Sequence, residues 1–235
     1  RKMYTDDYLA VVQKKQVQNF KLDTYQGRLK APGKDSTNGC TVISPLVAAH
    51  HLACQGSGIA DMTIENVIDN EAPPILSHVR SKLGLPADAL IIPSDVHDYL
   101  VDRKILHQEK FVGACGGNML DPVHVGEFLK LLEGEGDNAP KKLASALFFH
   151  EHVVSILKIV GNKSGAWFDI VDSMPRDGKA TRIRCKTRAA LEVTLRWYAS
   201  AKFSDPDCQY IDGNEWDDIM CDFDPRVFQA FVWVE

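Results

Sequence analysis

Apolar and polar positions change rhythm once along this chain, near Lys142. Before it, apolar residues recur three and four positions apart, the spacing that lines one face of a helix. The pattern predicts helices over about Asp6–Phe20, Cys40–Cys54, Pro74–Leu83, Asp95–Lys104 and Pro122–Glu133. The second is apolar almost throughout (Val42, Ile43, Leu46, Val47, Leu52) and so belongs in the interior. Ser94 stands where it would cap the fourth, and Asp121-Pro122 offers the fifth an N-cap and an N1 proline. Tyr25–Asn38 reads as a loop, and the glycines around Cys115 read as a turn between strand and helix. After Lys142 short runs rich in Val, Ile, Phe and Trp predict strands at Leu143–Phe149, His152–Val160, Ala166–Asp172, Thr181–Lys186 and Val227–Val234. Gly161-Asn162-Lys163-Ser164-Gly165 supplies hairpin turn chemistry, and one helix, Arg188–Phe203 with Thr187 at its N-cap, interrupts the strands. Helices first and an antiparallel sheet afterwards make an α+β layout: one domain, mainly helical over residues 1–142 and mainly antiparallel β over residues 143–235.

Composition narrows the function. With 45% apolar and 25% charged residues the chain is of ordinary globular composition, not disordered or fibrous. No apolar run approaches the ~20 residues of a membrane-spanning helix, so no membrane partner is expected. Thirty-two acids against 27 bases, a net charge of −5, argue against a nucleic-acid binder held by phosphate contacts. Eight of the acids fall between Ser204 and Asp224 with no Lys or Arg among them, which leaves the rest of the chain at +3. That segment is either a solvated loop or a surface for a basic ligand, with Asp217 and Asp218 as candidate substrate-binding residues. The cysteines form no C-x-x-C pair, so neither a zinc ribbon nor a disulfide framework is signalled and a reducing compartment, cytoplasmic or nuclear, is expected. Arg1-Lys2-Met3-Tyr4 lacks the apolar core of a signal peptide, and a start at Arg is expected of a piece of a longer chain. Asn162-Lys163-Ser164 matches a glycosylation sequon, but in an intracellular protein it is expected to stay unmodified.

The candidate chemistry starts at Asn38-Gly39-Cys40-Thr41, where a polar loop runs into the apolar helix. Unpaired N–H groups and the dipole at a helix N-terminus favour the thiolate, the nucleophilic form. Pro45 offers a competing start, at N1 behind a Ser44 cap, which would put Cys40 ahead of the regular helix. Downstream, antiparallel pairing around Gly161–Gly165 brings the start of one strand beside the end of the next. His152 and Asp172 thereby become neighbours, an imidazole with an orienting carboxylate. His150 competes with His152, since two residues apart on a straight strand they share a face. Phe149-His150-Glu151-His152 also reads as a cupin-like H-x-H metal pair, but Ser155–Gly165 supplies neither the further Glu nor the further His such a site requires. No metal or cofactor is expected.

Asn38-Gly39-Cys40 before an apolar helix, His152-Val153-Val154 at a strand start and Ile170-Val171-Asp172-Ser173 at the end of the next together resemble the papain-like cysteine peptidase superfamily. An Asp as third residue, with Asn two positions before the cysteine and Ser44 four after it, is nearer the ubiquitin-specific proteases than papain itself. The resemblance implies a papain-like fold with Cys40 as nucleophile, His152 as general base and then acid, and Asp172 as orienter. It also implies an amide near the cysteine as oxyanion donor, for which Asn38 is the nearer candidate and Gln26, 14 residues upstream, the second. The zinc-binding cysteine pairs of many ubiquitin-specific proteases are missing. The implied activity is thiol-dependent cleavage of peptide or isopeptide bonds in a protein substrate, at the C-terminus of ubiquitin or a ubiquitin-like protein. The same residues leave open an inactive protein-binding module and a thiol acyltransferase or transamidase.

Overall fold

The computed structural model describes residues 2–134, 136, 142–161 and 165–235, so the Asn162–Ser164 turn and sequon lie outside it. One seven-stranded antiparallel sheet runs through the fold. Its strands are β1 (Val17–Lys21), β2 (Phe111–Asn118), β3 (Leu143–Phe149), β4 (His152–Val160), β5 (Ala166–Arg176), β6 (Lys179–Cys185) and β7 (Val227–Val234), in the spatial order β1-β6-β5-β4-β3-β7-β2. The helices are α1 (Lys2–Gln13), α2 (Cys40–Ala53), α3 (Asp61–Asn66), α4 (Ala72–Lys82), α5 (Pro93–Asp102), α6 (Pro122–Glu133), α7 (Arg188–Lys202) and α8 (Asp205–Gly213), with a π-helical turn at Val67–Glu71 joining α3 to α4. The fold is α+β.

Period-two alternation sorts the strand side chains onto two faces. Ala144 and Ala146 of β3 pack with Leu46, Leu76 and Leu100 from α2, α4 and α5. Leu143, Leu147 and Phe149 of the same strand pack with Phe128 of α6, Leu191 and Leu195 of α7 and Tyr8 of α1. Buried on both faces, β3 and β4 read as near-continuous apolar runs rather than alternating ones. Ten of the 14 residues of α2 are buried, so packing fixes this helix, and truncating a residue such as Leu46 to Ala would cost about 2–5 kcal/mol.

Several boundaries depart from expectation for local reasons. The helix expected over Asp6–Phe20 ends at Gln13. Lys15 takes the left-handed conformation (φ 57°), the Gln16 N–H reaches back to the Val11 carbonyl, and the chain continues as β1 beside β6. Phe111–Asn118, expected to be a turn at its glycines, is an edge strand. A Cβ at Gly116 would lie 2.9 Å from the Phe228 carbonyl oxygen, and one at Gly117 would lie 2.7 Å from the His124 ring. α5 starts at Pro93 with Ile92 in the cap position, not at a Ser94 cap. The caps Asp121 and Thr187 accept hydrogen bonds from Val123 and Ala190 backbone N–H groups, as their sequences require. Because β1 and β2 close the two edges of the sheet, the helical and strand-rich parts of the sequence interleave in space.

Candidate active site

Each part of Asn38-Gly39-Cys40 has a backbone reason to be there. Asn38 is left-handed (φ 53°), a conformation Asn tolerates better than most residues. A Cβ on Gly39 would stand 2.6 Å from Leu76 and 2.7 Å from the Ser36 carbonyl oxygen, so only glycine passes. Cys40 is then the first residue of α2, where a backbone N–H has no acceptor within the helix. Pro45 lies inside α2 rather than at its start.

Two reciprocal hydrogen bonds fix α2 on β4. Ser44 Oγ donates to the Val153 carbonyl at 3.0 Å, and Ser155 Oγ donates to the Ser44 carbonyl at 2.9 Å. Further along, the Ile59 N–H donates to His51 Nδ1 at 3.3 Å, so Nε2 carries the proton and donates to the Lys158 carbonyl at 2.9 Å. Ser44 is one helical turn from Cys40 and Val153 adjoins His152, so this clasp sets the sulfur against the imidazole. Burial lowers the His51 pKa, consistent with a neutral structural ring.

His150 and His152 do not share a strand. β3 ends at Phe149, and His150 and Glu151 are both left-handed (φ 54° and 59°), making a two-residue turn that reverses the chain into β4. The expectation that the two rings lie on one face therefore fails. His150 Nε2 turns to Asp207 Oδ2 at 3.0 Å, whereas His152 Nε2 donates to Asp172 Oδ1 at 2.6 Å. Among the described residues no group of three His, Cys, Asp or Glu side chains could hold a metal ion.

The electrostatics follow from this packing. Cys40 is 2% exposed and His152 3%. Burial pulls the imidazole pKa down, but the Asp172 hydrogen bond and the charges of Asp172 and Cys40 outweigh it, and the pKa is raised to about 9. Asp172 is pushed up by burial, yet the His152 hydrogen bond and charge and the Met174 N–H, 3.0 Å from Oδ1, hold it below the ordinary carboxylate value. Nε2 is engaged by Asp172, whereas the buried Nδ1 has no hydrogen-bond partner, so Nδ1 is the nitrogen free to exchange a proton with the Cys40 thiol. The arrangement can shuttle a proton between sulfur and imidazole while a carboxylate stabilises the charged ring.

Around this centre the sequence-derived candidates fare differently. The Asn38 amide donates to the Asp88 carbonyl at 2.9 Å and is occupied. Gln26 is buried beside Asp172: its N–H donates to the Ser173 carbonyl at 2.8 Å and its Oε1 accepts from Ser173 Oγ at 2.7 Å, which leaves its NH₂ group as the free donor. Asp217 Oδ1 accepts from the Ile219 N–H, and Asp218 Oδ1 accepts from Trp216 Nε1. The acidic segment starts and ends at the His152 end of the sheet, since Asp207 meets His150 and Phe228 pairs with Phe149. Sequence reasoning missed α8, although Ser204-Asp205-Pro206-Asp207 is a capping box with a proline in the first turn. It also missed Tyr198, whose hydroxyl donates to Asp172 Oδ2 at 2.9 Å from within an amphipathic helix where it reads as core.

No known protein family matches this chain, and no curated protein does. Among solved structures it is similar to the ubiquitin-specific protease encoded by murine cytomegalovirus tegument protein M48, determined in complex with a ubiquitin-based suicide substrate. The two chains are 11% identical with a TM-score of 0.46, over 92% of this chain and 84% of that one.

Proposed function

We propose that this chain is a thiol hydrolase that cleaves peptide or isopeptide bonds, with Cys40 as nucleophile, His152 as base and acid and Asp172 as orienter. The observation that carries the reading is the buried His152–Asp172 hydrogen bond of 2.6 Å beside a cysteine at the first position of a helix. In this mechanism His152 holds the Cys40 proton as an imidazolium, and the thiolate beside it attacks the carbonyl carbon. The tetrahedral oxyanion is met by the Cys40 N–H and, in preference to Asn38, by the Gln26 amide. Collapse breaks the C–N bond, and His152 gives its proton to the departing amine, leaving a thioester. Water, deprotonated by His152, then attacks the thioester to release a carboxylic acid and restore the thiol.

The near-complete burial of Cys40 favours a slim acyl donor such as a Gly-Gly tail, and the acids from Asp205 to Asp224 favour a basic segment behind it. Both features support the C-terminus of ubiquitin or a ubiquitin-like protein as substrate, with Asp217 and Asp218 as readers of its basic residues. The same burial supports a second reading, a protein-binding module whose thiol never meets substrate. Treating the protein with iodoacetamide and with ubiquitin bearing a C-terminal electrophile, then locating adducts by mass spectrometry, separates these. Cys40 labelled by both supports the ubiquitin-directed hydrolase, and labelling by iodoacetamide alone keeps the hydrolase without ubiquitin. No selective labelling favours the binding module.

A further inference from the structure

We propose that Tyr198 is a positioning residue of this site, acting on His152 through Asp172, so that Cys40, His152, Asp172 and Tyr198 work as one chain of contacts. The proposal rests on the thiol-hydrolase reading and adds a member to it. Asp172 is a buried carboxylate whose two oxygens have different tasks. Oδ1 takes the His152 and Met174 N–H groups, and Oδ2 takes the Tyr198 hydroxyl at 2.9 Å. Without that hydroxyl, Oδ2 would be left short of a donor in a largely buried position, and a buried acceptor without a partner costs about 1–3 kcal/mol. The phenol therefore stops the carboxylate turning and draws off part of its charge.

The surroundings hold the phenol in place. Tyr198 is 6% exposed, and Lys202, one turn later on α7, sets its ammonium 4.8 Å from the centre of the phenol ring. The preceding residue, Trp197, is stacked on Tyr8 of α1 at 3.8 Å and carries the Arg176 guanidinium at 4.5 Å. The charged and titratable groups facing Asp172 and His152 are thus Cys40 from α2 and Tyr198 and Lys202 from α7, while Arg176, at the end of β5, faces Tyr198 and Lys202. A tyrosine that served only as core would not need its hydroxyl on the one carboxylate that orients the imidazole.

The test reads the imidazole rather than turnover. The rate of Cys40 alkylation by iodoacetamide is followed from pH 5 to 10 in the full chain, in the wild type, His152→Ala, Tyr198→Phe and Thr194→Val. Thr194 is also buried on α7, but it donates to the Ala190 carbonyl and does not touch Asp172. The wild-type inflection due to His152 is expected to vanish in His152→Ala. In Tyr198→Phe it should rise by about half a pH unit, because a carboxylate with one donor fewer pulls harder on the imidazolium. Thr194→Val should leave it in place, with both variants melting within a few degrees of wild type. Repeating the Tyr198 pair in a Lys202→Met background keeps the lysine's own titration out of the profile. An unmoved inflection in Tyr198→Phe, or an equal shift in Thr194→Val, overturns the positioning role. An inflection that survives His152→Ala overturns the thiol–imidazole reading itself and takes the proposal with it.

Discussion

Two histidine–aspartate pairs lie two residues apart, one histidine inside the β3–β4 turn and the other at the start of β4, and their surroundings make them different objects. His150 and Asp207 meet at 3.0 Å with 33% and 24% of their side chains exposed, so water competes for both and salt screens them. His152 and Asp172 meet at 2.6 Å with 3% and 11% exposed, and the carboxylate also accepts from Met174 and Tyr198. Burial alone would neutralise the second imidazole. The neighbours reverse that and keep it charged to about pH 9. Identity and spacing in sequence therefore say little about a histidine's role here, and whether it lies in the turn or on the strand beyond it says most of it.

The widest test of that contrast is activity. His152→Ala should lower turnover of an activated ester or amide at least 10³-fold, whereas His150→Ala should stay within twofold; steady-state kinetics on the two variants measure the gap. Asp172→Asn should cost less, about 10- to 100-fold in kcat. Oδ1 of the amide still accepts from His152 and Met174, and its NH₂ group can donate to the Tyr198 oxygen. Asp207→Asn should leave kcat unchanged.

Stability against pH sharpens the same comparison. Because the folded His152 pKa is raised, its stabilising contribution is complete below the unfolded value of ~6.5 and is lost as pH rises through about 9. Urea midpoints should fall over that window, by up to roughly 3 kcal/mol in stability, and the decline should flatten in Asp172→Asn. Asp172 has the opposite sign. Its depressed pKa stabilises the fold in full above the unfolded value of ~3.9, and that contribution is lost as pH falls from there through the lower folded value. The smallest effect belongs to the outer pair: His150→Ala should change stability by less than about 1 kcal/mol, and the change should shrink further in 0.5 M salt.

Legibility divides along the same physical lines. α2, α6, α7 and the central strands could be read because their apolar periods agree with their burial and because Asp121 and Thr187 sit in strong cap positions. β1 could not, since α1 is stopped by a left-handed Lys15 rather than a glycine. β2 was hidden because its glycines permit close packing on Phe228 and His124 rather than a turn. The β3–β4 turn carries His150-Glu151 where Asn-Gly would have announced it, so the sequence could not show that the two histidines part company. Cys40, His152 and Asp172 were visible as an order of residue types with hairpin geometry. Tyr198 and the orientation of Gln26 were not, because both depend on contacts made between distant segments.

The Ser44–Ser155 clasp also bears on how the chain reaches this state. It joins segments 109 residues apart, from Ser44 to Val153, and closing so large a loop is repaid only once β3 and β4 have paired and α2 has found their face. Until then Cys40 lies at the start of a helix with no imidazole near it. A chain emerging from the ribosome thus presents Cys40 well ahead of its imidazole, and the pairing of the two arrives with the native topology.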